Sequence, residues 1–108
     1  MPLVDLTSIA PKEIVPGYRA RFIHTEHMTF SYLDVAAGAA LKEHQHPHEQ
    51  VAHVLEGRFQ LTLAGEPIEF GPGEVIVIPS NTLHAGLAIT DCKLLDVFYP
   101  VREDYRAL

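Results

Sequence analysis

The chain has no tryptophan, a single cysteine and two methionines, and its 8 lysines and arginines are outnumbered by 14 acidic residues. One cysteine, Cys92, excludes an internal disulfide framework and agrees with a reducing compartment. Cys92 reads as a small buried hydrophobe in a strand. The scarcity of basic residues leaves a formal charge of -6, and the few that exist are scattered. That excludes a nucleic-acid surface, which needs clustered Lys and Arg against phosphates. An anionic small molecule stays possible, because a buried metal ion and one arginine can set a local potential against the sign of the whole.

Long apolar runs are also missing. None approaches the roughly 20 residues of a membrane helix, and Met1 to Glu13 carries neither a basic region nor an apolar stretch before a small-residue cleavage site. The expectation is a soluble cytoplasmic protein with no membrane partner. At 108 residues the chain has room for one domain, so site and fold share one core.

Helical periodicity is nearly absent as well. From Tyr18 onward, short runs of β-branched, aromatic and apolar residues recur, each closed by Gly, Pro, Asn or Asp. The spacing predicts strands at Tyr18 to His24, Met28 to Val35, His44 to His46, Val51 to Leu55, Arg58 to Leu63, Ile68 to Phe70, Val75 to Ile78, His84 to Ala88 and Lys93 to Tyr99. Ala64-Gly65-Glu66-Pro67, Gly71-Pro72-Gly73 and Pro79-Ser80-Asn81 supply turns. The fold class is all-β, a small antiparallel barrel over residues 18–108. Residues 1–17, with three prolines and little periodicity, read as an arm lying on the barrel or on a partner subunit. That apolar arm and strands apolar on both faces predict a homodimer.

What the sequence has in abundance is histidine, seven in all. His44 and His46, two apart on a strand, point the same way and make a half-site for a divalent ion. Gln50 opens the next strand after Pro47, and His84 begins a later one, so the four converge on one ion. Glu49 is the alternative to Gln50 if the turn at Pro47 absorbs an extra residue. His48 reads as a neighbour of the site or as exposed, His53 faces away from Gln50, and nothing ties His24 or His27 to the metal.

Gly38, His44, His46, Gln50 and Gly57 fall on G(X)5HXH(X)3,4E(X)6G, with glutamine for glutamate. Gly73, Pro79 and His84 fall on G(X)5PXG(X)2H(X)3N, with Asn81 and Ala88 as departures. In these two motifs the chain resembles the cupins, which implies a jelly-roll or double-stranded β-helix barrel. The His-Pro-His-Glu-Gln stretch from His46 to Gln50, with Leu94 to Tyr105, further resembles the KdgF family of small single cupins. That resemblance implies a metal held by three histidines and a glutamine, and substrate-handling roles for Asp96, Phe98 and Arg102. It also implies conversion of 4,5-unsaturated uronate monosaccharides, from pectin or alginate breakdown, to linear keto forms.

The residues support this independently. Asp96 alternates with leucine, valine and phenylalanine on the last strand, and a carboxylate is costly there unless paired or put to use. A salt bridge to Arg102 is the structural alternative. Arg102 lies just beyond Pro100, where its planar fork could clamp a substrate carboxylate or pair with Glu103 or Asp104. Phe98 shares a face with Asp96. With glutamine as a ligand the ion keeps its full charge, and a unit charge about 4 Å away is worth about 4 kcal/mol at an effective dielectric near 20. That favours an anionic ligand and disfavours oxygen chemistry on Fe(II). Ni, Zn, Fe, Co and Mn all suit the ligand set. A cupin dioxygenase and a non-catalytic metal- or sugar-binding cupin are the competing readings.

Overall fold

The computed structural model describes residues 2–108, so Met1 of the arm lies outside the described residues. Ten strands run β1 (Lys12–Val15), β2 (Tyr18–His24), β3 (Thr29–Val35), β4 (Ala40–His44), β5 (Glu49–Glu56), β6 (Phe59–Leu63), β7 (Glu66–Phe70), β8 (Val75–Ile78), β9 (His84–Ala88) and β10 (Cys92–Tyr99). A 3-10 turn, Leu6–Ser8, precedes them, and a one-turn helix, α1 (Glu103–Arg106), follows. Every pairing is antiparallel. One sheet has the order β1-β2-β3-β10-β5-β8 and the other β4-β9-β6-β7. The barrel expected from the sequence is thus a jelly roll of two packed sheets.

Alternation with period two builds the core between them. β3 reads buried at Thr29, Ser31, Leu33 and Val35, and β5 at Gln50, Ala52 and Val54. Phe59 packs edge-on against Tyr18 and Phe70. Gly86 makes this possible, since a Cβ there would stand 2.6 Å from the Phe59 ring. Between β6 and β7, Ala64 and Gly65 both have positive φ, the two-residue hairpin turn whose twist matches its strands. Pro67 follows on β7, at the sheet edge, where its missing N–H is harmless.

Two sequence expectations change. Within residues 1–17, Lys12–Val15 pair with β2 as an edge strand that the flanking Pro11 and Pro16 had hidden. The expected strand His44 to His46 ends at His44. Pro47 interrupts it, and the loop is pinned to the corner before β9, where Asn81 N–H donates to the His46 carbonyl and Ser80 Oγ to the Pro47 carbonyl.

Candidate metal centre

His44 reaches the interior through an irregularity in its strand. Leu41 lies opposite Gly86 and packs against the core, yet His44, three residues on, lies opposite His84, only two residues back along β9. The extra residue in β4 is a bulge, with Lys42 and Glu43 exposed. Strict alternation from Leu41 would have turned Glu43 inward and His44 to solvent. His84, first residue of β9, is buried, and its ring centroid lies 4.2 Å from that of His44. The loop residue His46 completes the group, its ring 4.9 Å from His84. One ring nitrogen from each of the three falls within 4.8 Å of the others.

Each ring is held by its Nδ1 against a carbonyl: Lys42 O for His44 at 2.7 Å, His48 O for His46 at 3.0 Å and Thr82 O for His84 at 2.8 Å. A carbonyl only accepts, so Nδ1 is the protonated nitrogen and Nε2 of the neutral ring offers a lone pair. Burial, with Arg102 and His84 nearby, pushes His46 down to about 4, and burial also lowers His84. Both are neutral at pH 7.

Gln50 is buried on the inner face of β5, and the adjacent Glu49 is exposed on the outer side, so glutamine joins the histidines. Its Oε1 stands 3.2 Å from His46 Nε2. Two lone pairs facing each other at that distance repel unless a cation lies between them. The other end of the amide is left for Asp96, whose titration Gln50 pulls down. Three imidazoles and an amide oxygen therefore fit a divalent ion.

Asp96 faces inward on β10, opposite Ser31 of β3 and Ala52 of β5. Burial raises it to about 6, against the Gln50 amide, His53 and Arg102, which pull it down. Ser31 Oγ is buried beside it without a hydrogen-bond partner among the described residues. Phe98, buried two residues on, sets its ring edge-on to His46 at 5.6 Å.

Arg102 is buried and does not pair with Asp96. Its Nε and one terminal nitrogen donate to the two oxygens of Asp104, at 3.1 and 2.6 Å, and its backbone N–H donates to Thr29 Oγ1. The guanidinium lies 3.8 Å over the Tyr105 ring and 4.9 Å over Phe98. His44, His84, Gln50, Asp96, Phe98, Arg102 and Tyr105 line one pocket.

Tyr105 is the residue that sequence reasoning missed, whereas Asp104 was offered, with Glu103, as a partner of Arg102. The signal for Tyr105 was its spacing of three from Arg102, which one helical turn brings together. Among the other histidines, His48 packs against His46 and supplies the carbonyl that orients it. His53 points to the outer face and its Nδ1 meets the Leu95 carbonyl, while His24 bonds Thr29 and His27 lies exposed beside Glu26.

The cupin domain model matches residues 31–98, which span β3 to Phe98 of β10. The chain belongs to the cupin family. Among its relatives, the pectin degradation protein KdgF of Dickeya dadantii (strain 3937) is 31% identical over 97 residues, covering 87% of this chain and 88% of that protein. The structure of KdgF from Halomonas sp. superposes with a TM-score of 0.86 at 29% identity, covering 92% and 93% of the two chains. An RmlC-like cupin from Shewanella frigidimarina NCIMB 400 gives 0.91 at 24% identity, over 97% and 96%, a likeness of fold. Among the described residues of this cupin, no helix is long and apolar enough to cross a membrane.

Proposed function

We propose that this cupin opens the ring of 4,5-unsaturated uronate monosaccharides and delivers the linear keto form. The observation that carries the reading is the pocket in which Asp96, raised by burial to about 6, shares a lining with His44, Gln50, His84 and the buried Arg102. Its 31% identity to a pectin degradation protein supports the substrate class.

Such a substrate is a hemiacetal whose ring oxygen is part of an enol ether next to a carboxylate. Opening removes the proton of the C1 hydroxyl, forms the C1 carbonyl and breaks the bond from C1 to the ring oxygen. The electron pair left on that oxygen is an enolate, and a proton added at C4 gives the ketone at C5. No oxidant or reductant is required. A divalent ion on His44, His46, His84 and Gln50 would supply Lewis-acid stabilisation of negative oxygen, with no protein charge to weaken it.

Asp96 serves as the base at the C1 hydroxyl and returns the proton toward C4, a task suited to a carboxylate that titrates near its working pH. The edge of Arg102 not occupied by Asp104 holds the substrate carboxylate, and the aromatic rings of Phe98 and Tyr105 fix the plane of that guanidinium. Phe98 also forms the apolar wall of the pocket. The Ser31 hydroxyl, unpartnered beside Asp96, is available to a sugar hydroxyl.

The test is the loss of the conjugated enol-acid absorbance on adding purified protein. Acceleration that a chelator removes and a divalent metal restores is expected. No acceleration over buffer with metal present sinks the proposal, and substrate binding that survives Asp96→Ala without any turnover by the parent chain would make this a binding cupin.

A further inference from the structure

We propose that Thr29 and His24, neither of which lines the pocket, are positioning residues that hold Arg102 over it through the main chain. The value of holding it rests on the proposed function, in which Arg102 binds the substrate carboxylate; the anchoring itself does not. The inner face of the six-stranded sheet carries the site in two registered rows. One runs Phe22, Ser31, Asp96 and Ala52, and the next runs His24, Thr29, Phe98 and Gln50. The second row gives the centre its Gln50 and the pocket a wall in Phe98. Its other two members meet the segment that follows β10.

Thr29 is 0% exposed, so its hydroxyl cannot turn to water and must be satisfied within the protein. Its Oγ1 accepts from the Arg102 backbone N–H at 2.9 Å and stands 2.9 Å from His24 Nδ1. An N–H only donates, which leaves the hydroxyl hydrogen for Nδ1. Burial, with Arg106 nearby, lowers His24 from its ordinary value, so at pH 7 the ring is neutral and accepts on Nδ1 with its own hydrogen on Nε2. Phe22 stacks on that ring, centre to centre at 5.6 Å, and keeps it in place. Each bond of such a chain polarises the next, so His24 strengthens Thr29 as the acceptor for Arg102.

Arg102 needs such an anchor because the ladder of β10 ends at Tyr99. Beyond it, Arg102 opens the single turn of α1 without a side-chain cap, and one turn is too short to hold its own shape. Asp104 fixes the guanidinium to this segment but travels with it. Thr29 belongs to the sheet, in register with Phe98, so its bond sets where the segment stands over the site. The same β2–β3 hairpin grips the far end of the turn. Arg106 donates to the Thr25 carbonyl at 2.9 Å, and Tyr105 packs on Phe22 with ring centres 4.9 Å apart.

The experiment uses the full chain supplied with zinc and two pairs of variants. Thr29→Val keeps the shape and removes the hydroxyl, whereas Thr29→Ser keeps the hydroxyl. His24→Phe keeps a ring on Phe22 and removes Nδ1, whereas His24→Asn keeps an acceptor there. Amide hydrogen exchange at Arg102 should be at least about tenfold faster in Thr29→Val, the scale of one lost hydrogen bond, and near the parent rate in Thr29→Ser. KM for unsaturated uronate should rise several-fold in Thr29→Val with kcat within about twofold, and serine should restore it. His24→Phe should move both readouts the same way by a smaller factor, and His24→Asn should reverse the shift. Circular dichroism and melting check the fold, and if Thr29→Val fails to fold, the His24 pair decides. Parent exchange at Arg102 in Thr29→Val or in His24→Phe overturns the proposal, as does a serine variant as impaired as the valine one. Faster exchange with an unchanged KM in an active parent also overturns it. If the parent chain turns over no unsaturated uronate, the proposed function falls, and the exchange rates alone still decide the anchor.

Discussion

Gln50 stands between the metal centre and Asp96: its amide oxygen lies 3.2 Å from His46 Nε2, and the side chain neighbours the Asp96 carboxylate and pulls its titration down. Residue 50 therefore joins the donor centre to the proton-handling group, a dual contact that a glutamate could not make. A carboxylate there has no hydrogen to donate, and it would stand as a second anion beside Asp96.

Gln50→Glu should accordingly bind a divalent ion more tightly and turn over unsaturated uronate more slowly, each by at least about tenfold. Both lie within the about 4 kcal/mol that a unit charge 4 Å away is worth near a dielectric of 20. A competition titration against a chelator and the absorbance assay measure the two effects. Wild-type turnover in this variant would remove the argument for a neutral ligand.

Asp96→Asn should abolish turnover and yet stabilise the metal-free protein at pH 7. Burial raises the folded-state value from 3.8 to about 6, so the contribution of Asp96 is most favourable below 3.8 and is lost as pH rises through 6. At about 1.4 kcal/mol per unit, the gain from neutralising it is at most about 3 kcal/mol, less the Gln50 contact. His46 acts with the opposite slope. Its value is lowered from 6.5 to about 4, so stability is full above 6.5 and falls as pH drops through that window, with His84 shifted in the same direction. The two titrations oppose each other between about 4 and 6 in the parent. In Asp96→Asn the histidine slope should stand alone, and urea midpoints between pH 4 and 7 would display it; a variant less stable than the parent at pH 7 would contradict this account.

How much of this was legible in the sequence depends on which kind of interaction set each feature. Strands β2, β8 and β9 begin and end where the sequence predicts, because alternation and turn residues act locally. The two cupin motifs brought His44, His46, Gln50 and His84 forward, and the structure places them together. The route differed. His44 turns inward by a bulge against β9 and His46 from a loop held to the Ser80–Asn81 corner, and alternation along a strand can foretell neither, since both are set by pairing with distant segments. The partner of Arg102 was left open in the sequence among Asp96, Glu103 and Asp104, and Asp104 is selected by how the chain turns after Pro100. The strand in residues 12–15 was hidden because its apolar residues, Ile14 and Val15, are adjacent and bracketed by prolines.

Ser31→Ala should raise stability and weaken substrate binding together. The Ser31 hydroxyl is buried and unpartnered, which costs roughly 1–3 kcal/mol, and alanine removes it without leaving a sizeable cavity. A rise in melting temperature with a higher KM and an unchanged kcat is the expected pattern. An unaltered KM would mean that the hydroxyl meets no substrate.

The plane of Arg102 is set from two sides. Asp104 occupies one edge in two-point fashion, and the guanidinium lies 3.8 Å from the centre of the Tyr105 ring and 4.9 Å from that of Phe98, two rings that stand nearly perpendicular to each other. Lysine offers neither a fork nor a planar cation, so Arg102→Lys should raise KM by at least about tenfold, the scale of a charge-assisted pair. Asp104 touches the pocket only through Arg102. Asp104→Asn keeps one acceptor, and should raise KM several-fold, less than Arg102→Lys does, with kcat nearly unchanged; Asp104→Ala should approach the lysine variant. The guanidinium holds the Asp104 carboxyl below its ordinary value of 3.8. The pair therefore contributes stability above that pH and loses it as pH falls through the lowered value, a loss that Asp104→Asn should not display. Steady-state kinetics on the three variants separates positioning from catalysis: a fall in kcat with constant KM in Asp104→Asn would move Arg102 from holding the substrate to acting on the reacting atoms.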